Sequence, residues 1–198
     1  PMIITEYFRH GSLENLLKLE RRGEKVDGWD DTMKLINIYG IASAMSYLHS
    51  LNIIHGNLAT INILVDNFLL AKINDFDFAK SLKDKNMIIA AAAIGVFPFV
   101  APEIFIHQKY SKASDVYAFA VIVYEIMTGK YPYRDMNDSN IKHKISFKKK
   151  RPEFNKDIPE VFKNLIKSCW CQKPGKRLTF DQIIHQLKTN RDFITEKV

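Results

Sequence analysis

The spacing of apolar residues changes several times along the chain, and each change marks an element. Met2-Ile3-Ile4-Thr5 is rich in β-branched residues and predicts a short buried strand. Gly11 marks a turn, and Ser12 is placed to cap a helix carrying Leu13, Leu16, Leu17 and Leu19. Residues 21–28 are charged, hold two glycines and read as a loop. Asp30 or Asp31 then caps a long helix to about Ser50, with Leu35, Ile38, Ala42, Met45 and Leu48 at three-to-four spacing. From 52 to 74 the character changes. Ile53-Ile54, Ile61–Val65 and Phe68–Ile73 are short apolar segments separated by Gly, Asn and Asp, and they predict short strands with tight connections. Residues 75–103 hold Gly95, Pro98 and Pro102 and read as a long ordered loop, inside which Ala90–Ala93 is either a single helical turn or mobile. Val116–Met127 follows Ser114-Asp115, bears few charges on any face and predicts a central buried helix stopped by Gly129. Two more helical patterns follow. One holds Val161, Phe162, Leu165, Ile166 and Cys169, and the other, capped by Thr179, holds Phe180, Ile183, Ile184 and Leu187. No repeat or domain boundary interrupts residues 1–198, so the expectation is one mainly α domain with a few short strands towards one end.

Composition narrows the class. A chain of 198 residues with 46% hydrophobic and 26% charged residues can bury a core, which excludes a disordered tail or a fibre. No uncharged apolar run reaches membrane-spanning length and no signal peptide is visible, so an intracellular, cytoplasmic setting is expected. The first residue is Pro1 rather than Met, which raises the expectation of a missing upstream part. The net charge is +7, and it is concentrated. Residues 142–156 hold Lys142, Lys144, Lys148, Lys149, Lys150, Arg151 and Lys156 against Glu153 alone. The plain reading of that window is a solvated loop. The sharper one is a surface for nucleic acid, acidic partners or an anionic membrane. No zinc-finger spacing or aromatic-and-basic RNA-binding pattern supports nucleic acid. Cys169 and Cys171 lack a second pair or a nearby His pair, so neither a zinc site nor a disulfide is expected, and both read as reduced thiols.

Residues 55–64 read His-Gly-Asn-Leu-Ala-Thr-Ile-Asn-Ile-Leu, followed by Asp75-Phe76-Asp77 and Ala101-Pro102-Glu103. This ordered series resembles the His-Arg-Asp…Asn, Asp-Phe-Gly and Ala-Pro-Glu motifs of eukaryotic protein kinases. Ser114–Phe119 is similar to the start of that family's central helix, Cys169-Trp170 and Arg177 to its last third, and Ile4–Phe8 to its last front-lobe strand and hinge. Leu58-Ala59, the Cys-Trp pair and the stretch Arg151-Pro152…Ile158-Pro159 lean towards the tyrosine-kinase-like branch. None of the glycines forms Gly-x-Gly and no Val-Ala-Ile-Lys-like strand occurs. The resemblance therefore implies a protein-kinase-like fold reduced to its helical C-lobe, with the N-lobe absent.

The resemblance also assigns residues. Asn57 stands at the catalytic-base position, Gly56 at the switch-arginine position, Ala59 or Thr60 at the position of a phosphate-touching Lys or Arg, and Val96 at that of a Thr touching the base. A carboxamide has no useful basicity, so general-base help of roughly 10²–10⁴-fold is expected to be lost. Between Asp77 and Ala101 the one hydroxyl side chain is Ser81, which leaves no Thr or Tyr for a switch phosphate. Asp77 replaces a glycine, where a Cβ resists some torsions. Asn62 and Asp75 match both Mg²⁺-binding positions and offer the oxygen ligands a hard cation needs. Thr5, Glu6, Phe8 and Leu64 match the adenine pocket and hinge. His55 and Phe76 match the apolar spine, Asp115 the carboxylate that holds the catalytic loop, and Glu103 with Arg177 a buried ion pair.

The His-Gly-Asn wording is similar to that of Janus-family pseudokinase domains. The expected function is a pseudokinase acting as a protein-binding or regulatory module, with weak ATP and Mg²⁺ binding at best. Its expected surfaces are the basic window and an apolar front at Met2–Thr5, Leu16 and Leu64 that would otherwise lie under the absent lobe. The competing readings are a residual ATP-dependent Ser/Thr or Tyr kinase completed by an upstream lobe, and nucleic-acid binding through Lys148–Lys150.

Overall fold

A helix that is apolar on every side has no solvent face and must be surrounded. In the computed structural model, which describes residues 6–81, 96–154 and 158–194, such a helix lies at the centre. In chain order the elements are α1 (Leu13–Arg21), α2 (Asp31–Ser50), β1 (Ile53–Ile54), β2 (Ile63–Val65), β3 (Ala71–Ile73) and β4 (Lys80–Ser81). They continue with α3 (Pro102–His107), α4 (Lys112–Thr128), α5 (Asp138–Ser146), α6 (Glu160–Cys169) and α7 (Phe180–Thr189). Every residue of α4 from Ser114 to Ile126 is buried. Around it pack α6, α2 and the 3-10 turn Phe97–Phe99. The Phe180 ring of α7 lies 5.3 Å from Phe119 of α4 and 5.0 Å from His49 of α2, which ties three helices together. The strands form two antiparallel pairs. β2 pairs with β3 in the register Ile63↔Ile73 and Val65↔Ala71, and β1 pairs with β4 in the register Ile53↔Ser81. No described helix is long and apolar enough to cross a membrane.

Local chemistry sets the helix ends. Ser12 Oγ accepts from the Asn15 amide at 3.4 Å and Asp30 Oδ1 from Met33 at 2.8 Å. Thr179 and Gln182 make a reciprocal capping box at the start of α7. Gly129 ends α4 in the left-handed region at φ 63°, which glycine adopts at no steric cost.

Several expectations change. The basic window is not a loop throughout, because Lys142 and Lys144 lie on α5, capped by Asn137 and anchored by the buried Ile141 and Ile145. Lysine clusters obscured that short apolar stripe. The segment Phe68–Ile73 is a strand only from Ala71. Asp66 Oδ1 accepts from the amides of Phe68 and Leu70, both at 2.9 Å, which turns the chain and leaves Phe68 77% exposed. The apolar front is not open at Leu16, which is only 2% exposed in the core. α1 packs on β2, and Leu64 is half-buried in a bridge to Ser12. α4 starts earlier than its apolar run, with Ser111 as its cap, so Ser114 and Asp115 sit in its first turn. The strand expected at Met2–Thr5, with Thr5 itself, and Ala90–Ala93, Gly95 and Lys156 lie outside the described residues.

Candidate functional site

The loop from His55 to Asn62 hangs from one buried carboxylate. Asp115, 2% exposed in the first turn of α4, accepts from His55 N at 2.9 Å and His49 Nε2 at 2.9 Å through Oδ2, and from Gly56 N at 3.0 Å through Oδ1. A carboxylate has lone pairs enough for all three donors, which suits it to a site where two adjacent backbone N–H groups must be held. Gly56 has φ 78°, and a Cβ there would lie 3.1 Å from the Phe78 carbonyl oxygen. A side chain at that position therefore meets both backbone strain and contact. His55 Nδ1 accepts from the Asn57 amide at 3.2 Å while Nε2 faces the Asn74 carbonyl at 3.0 Å. One nitrogen accepting and the other donating assigns a neutral ring protonated at Nε2. The Phe76 ring, 47% exposed, sits 5.2 Å from the His55 ring.

Asn57 links the other two polar candidates, Asn62 and Asp75. Asn57 Nδ2 donates to Asp75 Oδ2 at 2.7 Å, and Asn62 Nδ2 donates to the Asn57 carbonyl at 2.8 Å. One amide proton of Asn57 is thus held by the Asp75 carboxylate. Asp75 adopts φ 63°. The left-handed residue of this turn is Asp75, whereas Asp77 is exposed and not left-handed, so the torsional strain anticipated at Asp77 falls two residues earlier. Val96 and Asn57 border the same small void of about 20 Å³. Leu64 is half-buried, Phe8 is half-buried and Glu6 is exposed. Among the described residues no cluster of three His, Cys, Asp or Glu side chains could hold a metal ion.

Farther along, Glu103 and Arg177 form a bidentate pair at 2.6 and 2.8 Å. Arg177 also donates to the carbonyls of Cys171 at 2.9 Å and Ala113 at 2.8 Å. Cys169 and Cys171 are both free, and burial pushes the Cys169 thiol far above its ordinary range.

One functional contact went unread in the sequence. Glu125, fully buried in α4, accepts from Thr60 Oγ1 at 2.9 Å and from Arg21 Nη1 at 3.0 Å, joining the 55–62 loop to α1. The available signal was a lone carboxylate in the otherwise uncharged stretch 116–127, since a buried charge requires a partner. Burial raises the Glu125 pKa, opposed by the hydrogen bonds from Thr60 and Arg21. An acid whose folded pKa exceeds its unfolded value contributes stability that is complete below the unfolded value and lost as pH rises through the folded one. Glu125→Gln removes this dependence. Wild type should therefore gain on the variant as pH falls from neutral towards the ordinary glutamate range. Urea midpoints of both proteins across that interval check the expectation, and parallel curves would contradict it.

Comparison with known proteins places this geometry. Residues 1–187 match the family described as protein tyrosine and serine/threonine kinase. The chain is 37% identical over 186 residues to the RGS domain-containing serine/threonine-protein kinase A of Dictyostelium discoideum, aligning 94% of this chain with 16% of that protein. It is 32% identical over 188 residues to the serine/threonine-protein kinase CTR1 of Arabidopsis thaliana, aligning 94% of this chain with 22% of that protein. It is 34% identical over 190 residues to mitogen-activated protein kinase kinase kinase 13-A of Xenopus laevis, aligning 93% of this chain with 18% of that protein. The chain thus spans less than a quarter of the length of these relatives.

Proposed function

The chain belongs to the protein tyrosine and serine/threonine kinase family, and from that premise we propose that it is a pseudokinase, a kinase-like C-lobe without a working proton acceptor that acts by binding protein partners. The observation that carries this reading is the Asn57 amide donating to Asp75 at 2.7 Å. Phosphoryl transfer relies on positioning and charge neutralisation, helped by a residue that takes the substrate hydroxyl proton. A carboxamide is too weakly basic to take that proton, and here its nitrogen already serves as a donor to the carboxylate. Thr60, near the position of the family's phosphate-touching cation, is a neutral hydroxyl turned to Glu125. The scaffold around these positions keeps its buried polar partners, as a retained binding surface requires.

Protein kinases use ATP with Mg²⁺. Asn62 and Asp75 are the residues that would hold the metal, since Oδ1 of each accepts no hydrogen bond among the described residues. A carboxamide and a carboxylate oxygen suit a hard cation, whose remaining positions phosphate oxygens and water would fill. Leu64 and the hinge at Glu6 and Phe8 would form one wall of the adenine pocket. The sequence contains no Gly-x-Gly and no Val-Ala-Ile-Lys-like strand for the opposite wall. These retained oxygens favour the second reading, a residual kinase acting with an N-lobe from elsewhere in the protein.

A thermal-shift measurement tests whether a nucleotide site remains. With ATP and Mg²⁺ at about 1 mM, the midpoint should rise by no more than about 2 °C, because a ligand present at its own dissociation constant contributes only about 0.4 kcal/mol. A rise of roughly 8 °C or more, lost in Asp75→Ala, would overturn the weak-binding expectation and show the nucleotide site that a residual kinase requires.

A further inference from the structure

A cleft of about 960 Å³ opens beyond the end of α4, between the end of α1, the start of α2 and segments 129–136 and 150–153. Seven basic side chains line it against three acidic ones. Three of the basic groups are already committed. Arg21 pairs with Glu125, Lys34 pairs with Glu20, and Arg151 donates to the Trp170 and Lys150 carbonyls and to Gln172 Oε1. The other four, Lys130, Arg134, Lys144 and Lys150, form no ion pair among the described residues. Lys130, Arg134 and Lys150 are exposed, and the Lys144 ammonium lies 5.6 Å from the centre of the Tyr133 ring.

The wall that carries these cations is held in place. Tyr133 sits at φ 57°, and its hydroxyl donates to the Lys150 carbonyl at 3.2 Å. The Lys150 amide donates to the Lys144 carbonyl at 3.1 Å, and Tyr124 Oη donates to the Glu153 carbonyl at 3.0 Å. Like charges gathered in a concave, low-dielectric wall focus a positive field into the space they enclose. Among the described residues, carboxylates within ion-pair distance neutralise Arg21 and Lys34 of these seven, and Asp135 and Glu153 leave a net excess of positive charge on the wall.

We propose that this cleft docks an acidic peptide segment of a partner protein, a proposal that rests on the reading of the chain as a binding module and gives its partner a chemistry. Charge complementarity selects the anion, and the lining selects a peptide. Glu20, Asp135 and Glu153 share the wall with the cations. A nucleic-acid backbone, charged at every nucleotide, would meet those carboxylates, whereas a peptide places its acids at intervals and fills the gaps with neutral amides. A bilayer surface is broad and does not enter a cleft. The expected contacts are carboxylates on Lys130, Arg134, Lys144 and Lys150, with backbone amides against Tyr131 and Tyr133.

Fluorescence anisotropy with a fluorescein-labelled peptide of alternating Glu and Ser tests this on the full chain. Two double variants carry the same change in charge. Arg134→Glu with Lys150→Glu alters the cleft, and Lys148→Glu with Lys149→Glu alters exposed positions that do not line it. The cleft variant should weaken binding by roughly tenfold or more and the control by about twofold or less. Lys144→Ala, which adds no charge, should weaken it about threefold and so keeps the test open if a reversal disturbs folding. Equal losses in both double variants would overturn the proposal. So would absence of peptide binding at low salt, or tighter cleft-dependent binding of single-stranded RNA or of phosphatidylserine vesicles. Phosphate transfer from ATP, measured without the peptide, would remove the pseudokinase reading and leave the binding isotherm unchanged, so the two failures are distinguishable.

Discussion

Arg177→Met should cost about 3–5 kcal/mol of folding stability, because it strands the Glu103 carboxylate in the interior. The Arg177 side chain is 0% exposed. Its three nitrogens make four hydrogen bonds, two to Glu103 and one each to the carbonyls of Cys171 and Ala113. The guanidinium also lies 5.1 Å from the centre of the Tyr117 ring, as does that of Arg151. Methionine fills similar space but donates nothing, so a largely buried carboxylate and two carbonyl acceptors lose their partner together. Domains of this kind hold about 5–15 kcal/mol in all, so the variant should approach the limit of folding at 37 °C. Adding Glu103→Leu should restore most of the loss, since replacing both members of a buried pair by apolar groups is often close to neutral. Urea denaturation of the three proteins measures both effects. A single-variant loss below about 1 kcal/mol would mean that water reaches the pair.

Asp115→Ala should have the second large effect. It removes one acceptor from three donors, the amides of His55 and Gly56 and the ring of His49. Each stranded donor costs about 1–3 kcal/mol, so a total loss of about 3 kcal/mol or more is expected. The damage should be local as well as global, because those amides begin the loop that places Asn57 against Asp75. Amide hydrogen exchange at Gly56 should accelerate beyond what the fall in global stability accounts for. Asp115→Asn keeps one accepting oxygen but opposes an amide N–H₂ to a donor, and it should fall between wild type and alanine. Unchanged exchange at Gly56 in the alanine variant would show that the loop is held by other contacts.

Periodicity and end signals made most of the helices legible. Ser12, Asp30, Thr179 and Gly129 are local devices whose effect does not depend on distant residues, and each ends or starts a helix where its chemistry indicates. α5 escaped because its apolar stripe is only Ile141 and Ile145 among lysines, and short stripes are outweighed by composition. The burial of Leu16 escaped because it depends on α1 lying against β2, a contact between distant segments. At the site, residue identity indicated which side chains matter. It could not indicate that the Asn57 amide turns to Asp75, or that Glu125 reaches both Thr60 and Arg21, because those are pairings across 18, 65 and 104 residues of sequence.

Phosphate transfer from γ-³²P-labelled ATP to a peptide carrying Ser, Thr and Tyr is the most direct test of the central claim, that residue 57 no longer accepts a proton. It should be run on this chain and on the longest natural reading frame containing it, each beside its Asp75→Ala variant. Incorporation should stay at the level of the variant in both cases. Sustained transfer by either wild-type protein, abolished by Asp75→Ala, would contradict the claim.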